Sequence, residues 1–341
     1  QVRDDGDSLV DNEYSWNKLA NMLYVEIPSG VGFSYSDTVA DYKTGDDKTA
    51  VDNYWLVQGW LDRFPQYRSN DFHISSESYG GHYMPQLAEE IAKRNKQVAA
   101  DGSAPVINFA GFMVGNPYTD SRSNTVAQYM AYWGDQLLPG PVYKYWFQSC
   151  VASYEESKCN ELEAEMDGLI GKLNPYALDF PLCTGDKSAD GSDKGAVLRA
   201  QRLALKRHMQ KALSKERGVA GDDEGVPLPQ QGLLTPYDPC AEDLTVPYLN
   251  RADVQQALHV VPGTVWDVSS SKIDYEPADM LRPMMPYYTR LIDEYDMAIL
   301  IFSGDDDAVC ATEGTQWWIY DLGYDVDPTC YWRPWEEGGQ V

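Results

Sequence analysis

The sequence predicts an α/β protein: a mostly parallel central sheet flanked by helices, with a mainly helical cap inserted. Three observations carry that expectation. Strand and helix patterns alternate at short spacing between residues 49 and 115, the signature of βαβ units. One strand-to-helix turn, Ser76-Glu77-Ser78-Tyr79-Gly80, sets small residues around a central serine. From about residue 121 to 239 the alternation stops and the chain turns helical or loop-like. The expected organisation is a first part of the core over 1–120, a cap over 121–239, and a second part of the core over 240–341.

Taken in order, residues 22–27 are a short apolar run closed by Pro28-Ser-Gly30, which reads as a buried strand. The Gly-rich stretch Gly30-Val-Gly-Phe-Ser-Tyr-Ser36 follows, as a substrate-facing loop or a tight connection; it lacks the Lys-Ser/Thr of a phosphate loop. Residues 49–64 are helical through Tyr54, Val57, Leu61 and Phe64, with a stop at Pro65. A strand over 72–76 enters the serine turn. The helix after it shows Met84, Leu87, Ala88 and Ile91 at i, i+3, i+4 and i+7, with Lys93, Arg94 and Lys96 expected at its end, where they suit the dipole. Residues 106–114 are a strand ending in Gly115-Asn-Pro-Tyr-Thr-Asp120. Beyond the cap, helices are expected over 248–259, 280–295 and 316–320, a hydrophobic strand over 297–303, and a last strand starting at 330–335. Within the cap, residues 194–217 form a basic amphipathic segment, best read as a helix docked on an acidic protein.

Composition narrows the function. A net charge of −26 argues against nucleic acid and against an anionic membrane surface, both of which call for Lys and Arg. No run of about eighteen apolar residues is present, so no membrane span is expected. The six cysteines include no C-x-x-C pair and no His at zinc spacing, so neither a metal nor a cofactor is expected. Their even number suits three disulfides in an oxidising compartment, and proximity along the chain suggests Cys150–Cys159, Cys183–Cys240 and Cys310–Cys330.

The serine turn has the strand–turn–helix context of a G-x-S-x-G nucleophile elbow, with Ser76 where Gly is usual. Small neighbours are needed because strand and helix backbones nearly touch. The turn lifts the Ser78 hydroxyl to the sheet edge and aims the next backbone N–H at a reacting carbonyl oxygen. A Ser/Gly-rich turn without chemistry is the plain alternative. After the hydrophobic strand at 297–303 comes Gly304-Asp-Asp-Asp-Ala-Val-Cys310, acids at a strand's C-terminal end where an α/β hydrolase places its triad acid.

Together, Asn12-Glu-Tyr-Ser-Trp16, Gly30-Val-Gly-Phe-Ser-Tyr-Ser36, Glu77-Ser-Tyr-Gly-Gly-His-Tyr83, Gly115-Asn-Pro-Tyr-Thr-Asp120, Tyr237-Asp-Pro-Cys240 and Ser303-Gly-Asp-Asp-Asp-Ala-Val309 resemble the serine carboxypeptidase family, in this order and across the chain outside the cap. The resemblance implies the α/β-hydrolase fold, with Ser78 as nucleophile, the Tyr79 backbone N–H as one oxyanion-hole donor, and Asp307, rather than Asp305, as the triad acid. It implies that Glu77 recognises the substrate's terminal carboxylate. A carboxyl in that role must be protonated to donate, so burial and a neighbouring acid must raise its pKa, and the site works best at acid pH. The implied partners are peptide or protein C-termini, with a homodimer left open; the implied location is a vacuole, a lysosome or the outside of the cell.

The family's upstream glycine motif and its Gly-His-x-x-Pro segment find no match here. None of His73, His82, His208 and His259 follows Asp307, and His82 takes a packing role on the elbow helix. The expectation is a fragment that is inactive or nearly so by itself. Two rivals keep the fold: an acyltransferase using glucose esters, and a non-catalytic binding or protective protein. The basic segment before Gly221 resembles the excised linkers of two-chain family members, so cleavage there is a further expectation.

Overall fold

Strand β2 (Phe72–Glu77), β3 (Phe109–Gly115) and β5 (Ala298–Phe302) form a parallel sheet in that spatial order, and their C-terminal ends share one edge. The protein is seen here as a computed structural model that describes residues 2, 6–12, 14–153, 156–180, 182, 244–329 and 331–334. A second, minimal parallel pair joins β1 (Lys43–Thr44) to β4 (Asp274–Tyr275).

Helix α2 (Gly80–Asp101) packs on β2 and β3 of the main sheet, and α1 (Asp46–Arg63) and α8 (Met285–Tyr295) pack against α2. The apolar stripe expected on α2 is the buried one: Met84, Leu87, Ala88 and Ile91 join Tyr54, Val57 and Leu61 of α1, Phe112 and Val114 of β3, and Tyr288 and Leu291 of α8. Burial of Ile91 alone contributes about 2 kcal/mol. On β5, Ile299 and Ile301 pack into this core while Leu300 and Phe302 are exposed, so this unbroken apolar strand is open on one face among the described residues.

A second core lies in the first part of the expected cap. Helices α3 (Ser121–Gly134), α4 (Gly140–Trp146) and α5 (Glu156–Ile170) enclose Tyr129, Tyr132, Trp146 and Met166. The expected Cys150–Cys159 disulfide ties a π-helical stretch after α4 to α5, with Cα atoms 5.4 Å apart. The basic segment at 194–217, Cys183, Cys240 and Cys330 lie outside the described residues.

Several elements differ from expectation. Residues 22–27 are not a strand, because no described strand pairs with them. Their Glu26 closes the next loop instead, accepting from Phe33 N at 2.7 Å and Trp266 Nε1 at 2.6 Å, so 30–36 is a tight connection. Ile107 stays out of β3 because the Asn95 side chain takes both its N–H and its C=O. The helix expected over 280–295 starts only at Met285, since Pro283 holds Arg282 extended. Asn250 splits the helix expected over 248–259 into α6 (Thr245–Leu249) and α7 (Ala252–Ala257), its side-chain amide donating to Val246 O and Trp266 O, both at 2.8 Å. Helix α2 runs on to Asp101, so Lys93 and Arg94 lie inside it and pair with Glu89 and Glu90 four residues back, not with the helix end. Residues 331–334 are not strand. The last described helix, α9 (Thr312–Asp321), covers the expected 316–320.

Candidate active site

Ser78 sits on the turn from β2 into α2 with φ 55°, in the left-handed region that a non-glycine residue enters only at a cost of about 1–2 kcal/mol. Three backbone bonds hold it there. Ser78 N donates to Gly115 O at 3.0 Å, and Ser78 C=O accepts from Gly81 N at 2.9 Å and Tyr118 N at 2.8 Å. The glycines explain why the turn tolerates nothing larger. A Cβ on Gly81 would lie 2.2 Å from the Tyr118 carbonyl oxygen, and one on Gly80 would lie 2.4 Å from Ser76 Cβ. Ser76 therefore faces Gly80 across the strand–helix approach, and the serine there fits because its partner has no side chain.

The backbone N–H of Tyr79 is among the donors that the start of α2 leaves without an intrahelical partner. The Tyr79 ring points inward, stacked on His82 with centroids 4.6 Å apart. Glu77, the last residue of β2, is exposed, so the burial expected for it is not found. With Trp16, Asn116 and Phe302 it lines a hollow of about 480 Å³ at the sheet edge.

Asp307 lies on the loop after β5, two strands from the elbow. Its Oδ1 accepts from Val309 N at 2.6 Å, and Cys310 N reaches both of its oxygens at 3.4 Å. Burial pushes its carboxyl up to about 6; the Val309 and Cys310 amides oppose that rise, and the negative charges of Glu77 and Asp306 add to it. The raised carboxyl of the site is thus that of Asp307, with Glu77 among its causes.

Two neighbours were not singled out from the sequence. Asn116, at the end of β3 between the two loops, donates to Ser303 Oγ, Gly304 O and Cys310 O at 3.1, 3.0 and 3.2 Å and accepts from Gly304 N at 2.9 Å. It clasps the acid loop to the strand next to Ser78. Its place in the Gly115-Asn-Pro motif was the only signal, and that signal named no partner. Cys310 corrects an expectation: its thiol is free and buried, so it is not bridged to Cys330. Burial first, then the Asp307 charge, raises its pKa well above the ordinary thiol range, and the nearby Ser78 side chain opposes that rise.

The histidines are placed elsewhere. His73 pairs with Gly111 near the opposite end of β2, His259 follows α7, and His82 is fully buried with Nδ1 2.9 Å from Asp46 Oδ2. His208 lies outside the described residues. Among the described residues no group of three His, Cys, Asp or Glu could hold a metal ion, and no helix is long and apolar enough to cross a membrane.

The sequence profile of the family described as serine carboxypeptidase matches residues 1–341. Serine carboxypeptidase-like 26 of Arabidopsis thaliana is 34% identical over 349 residues, covering 100% of this chain and 68% of the relative. Serine carboxypeptidase 24 of the same plant is 33% identical over 348 residues, with the same coverage, 100% and 68%. In fold, the chain is similar to the crystal structure of Kex1(delta)p, a prohormone-processing carboxypeptidase from Saccharomyces cerevisiae. The TM-score is 0.60 and the identity 16%, over 94% of this chain and 63% of that one.

Proposed function

Because this chain belongs to the serine carboxypeptidase family, we propose that it carries the nucleophile of a serine-type carboxypeptidase, releasing C-terminal residues from peptides or proteins. The general base takes the Ser78 hydroxyl proton as Oγ bonds to the carbonyl carbon of the penultimate residue; the bond to the last residue's nitrogen then breaks, and the protonated base gives that proton to the nitrogen. Water then adds to the acyl-enzyme, the ester to Ser78 breaks, and the shortened peptide leaves. In this reading the Tyr79 N–H stabilises the oxyanion and Asp307 orients the base. Glu77 meets the terminal carboxylate, and an acid working pH is part of this reading. The Cys150–Cys159 disulfide supports a secreted, vacuolar or lysosomal setting.

The observation that carries the reading is the left-handed backbone of Ser78 on a strand-to-helix turn, at the same sheet edge as Asp307. Such strain persists only where the surroundings over-determine it. The mechanism also needs an imidazole base, and none of His73, His82 and His259 is placed to serve.

The test uses two blocked dipeptides, one with a free C-terminal carboxylate and one with an amide, and the protein purified from its own source. The expected result is cleavage of the free acid alone, faster at about pH 5 than at about pH 7 and abolished by Ser78→Ala. Equal cleavage of both substrates, or acyl transfer from a glucose ester without peptide cleavage, would overturn the proposal.

A further inference from the structure

The hollow at the sheet edge beside Ser78 holds more than the proposed chemistry uses. Two aromatic rings line it, Trp16 of the short helical turn Trp16–Lys18 and Phe302 at the end of β5, and they are 50% and 43% exposed. The Phe302 ring reaches over the neighbouring strand. Gly115 is its partner across the sheet, and a Cβ there would lie 2.5 Å from Phe302 Cε2. The glycine that ends β3 is therefore what lets this ring line the hollow. Through its carbonyl the same Gly115 accepts from Ser78 N at 3.0 Å, so ring and serine each touch one residue. The polar share of the lining is narrower. Asn116 turns its amide to the acid loop, where Ser303 Oγ, Gly304 and Cys310 O take it up. Among the described residues that line the hollow, the charged one is Glu77, exposed at the end of β2.

We propose that Trp16 and Phe302 are specificity-determining residues: they take the side chain of the substrate's last residue and select a large apolar one. The proposal rests on the reading of Ser78 as nucleophile and of Glu77 as the group that meets the terminal carboxylate. Covalent geometry makes the link. The last residue carries its carboxylate and its side chain on one Cα, so the two must be housed side by side. Glu77 and both rings line one hollow, which meets that demand. Its volume of about 480 Å³ lies within the range of about 300–1,000 Å³ that takes small ligands. The penultimate side chain belongs to the other side of the scissile bond and makes a separate demand. Half-exposed Trp and Phe present apolar area to water, and an apolar side chain set against them removes area on both partners. A cationic side chain also fits over such rings. In this reading, however, the charge that would partner it is engaged by the terminal carboxylate.

The test uses three blocked dipeptides with alanine as the penultimate residue and phenylalanine, alanine or lysine last. The protein from its own source is compared with Phe302→Ala and Trp16→Ala made in the same protein. The unsubstituted protein is expected to prefer phenylalanine over alanine on the order of a hundred-fold in kcat/KM, with lysine below phenylalanine. Phe302→Ala is expected to lower that ratio at least about tenfold, and Trp16→Ala at least about threefold. A second pair of substrates keeps phenylalanine last and exchanges alanine for phenylalanine at the penultimate place. There Phe302→Ala is expected to move the ratio less than about twofold. A merely structural role would slow every substrate alike and leave the ratios unmoved, which would overturn the proposal. So would a preference for lysine, or a penultimate ratio that moves as far as the last-residue one. If Phe302→Ala does not fold, Trp16→Ala decides by the same ratios. If the unsubstituted protein cleaves no peptide, the carboxypeptidase reading fails, and ligand-observed NMR with N-acetyl-phenylalanine and N-acetyl-alanine decides the role of the hollow. Binding of the phenylalanine derivative at least about tenfold tighter, with the difference lost in Phe302→Ala, supports an apolar side-chain site; equal binding overturns it.

Discussion

The elbow and the acid loop end neighbouring parts of one sheet, yet they are held by different means. Ser78 belongs to the α/β core: its turn is set by backbone bonds and by the contact of Gly81 with the Tyr118 backbone, while Val114 and Met84 pack beneath. The acid loop belongs to the helical region. Ala308 and Ala311 are part of that core, Ala308 N donates to Pro175 O at 2.8 Å, and Asp306 accepts from Leu178 N and Asp179 N at 3.0 and 2.9 Å. Asn124 of α3 adds a bond to Val309 O at 2.9 Å. The lesson is that the proposed nucleophile is fixed by steric exclusion and the proposed acid by polar clasps. Asn116 and Cys310 are where the two halves meet. The first kind of support fails all at once when a single atom is added; the second fails by degrees.

Gly81→Ala should break the comparison at its stiffest point. The added Cβ has backbone on the other side and nowhere to go, so a loss of roughly 4 kcal/mol or more is expected, read as insoluble protein or a collapsed urea midpoint. Asn116→Ala should sharpen it. Four hydrogen bonds vanish at once, some of them partly solvated, and a loss of about 2–3 kcal/mol is expected. In that variant, proteolysis or hydrogen exchange should open residues 304–310 first while 77–83 stays closed. Equal opening of both segments would show that the two supports are one.

The smallest effect is a pH slope. Folded Asp307 keeps its proton up to about 6, whereas an unfolded Asp loses it near the ordinary carboxylate value. Between those two values the native state binds more protons than the unfolded one, so stability falls as pH rises from about 4 to about 6. Allowing for partial exposure, the total is on the order of 2 kcal/mol. Asp307→Asn should flatten that part of the urea-midpoint profile; an unchanged slope would place the titration elsewhere.

Much of this architecture was legible in the sequence for local reasons. The spacing of Met84, Leu87, Ala88 and Ile91 dictates which face of α2 is buried, and small residues around Ser78 dictate a close strand–helix turn, because both signals lie within a few positions of each other. Residues 22–27 misled because an apolar run states an appetite for burial and not the presence of a partner strand. Cys310 misled because nearness in sequence says little about nearness of sulfurs when the chain between them folds as a helix. By itself, then, the sequence determined the fold class, the elbow and the place of the acids after β5. Only the tertiary structure decided that Asn116 clasps the acid loop, that Glu77 is exposed and Asp307 is the raised carboxyl, and that Asp46 meets Tyr79 from a helix more than thirty residues upstream. Burial and hydrogen-bond partners across such separations are properties of the packed chain, and no local pattern encodes them.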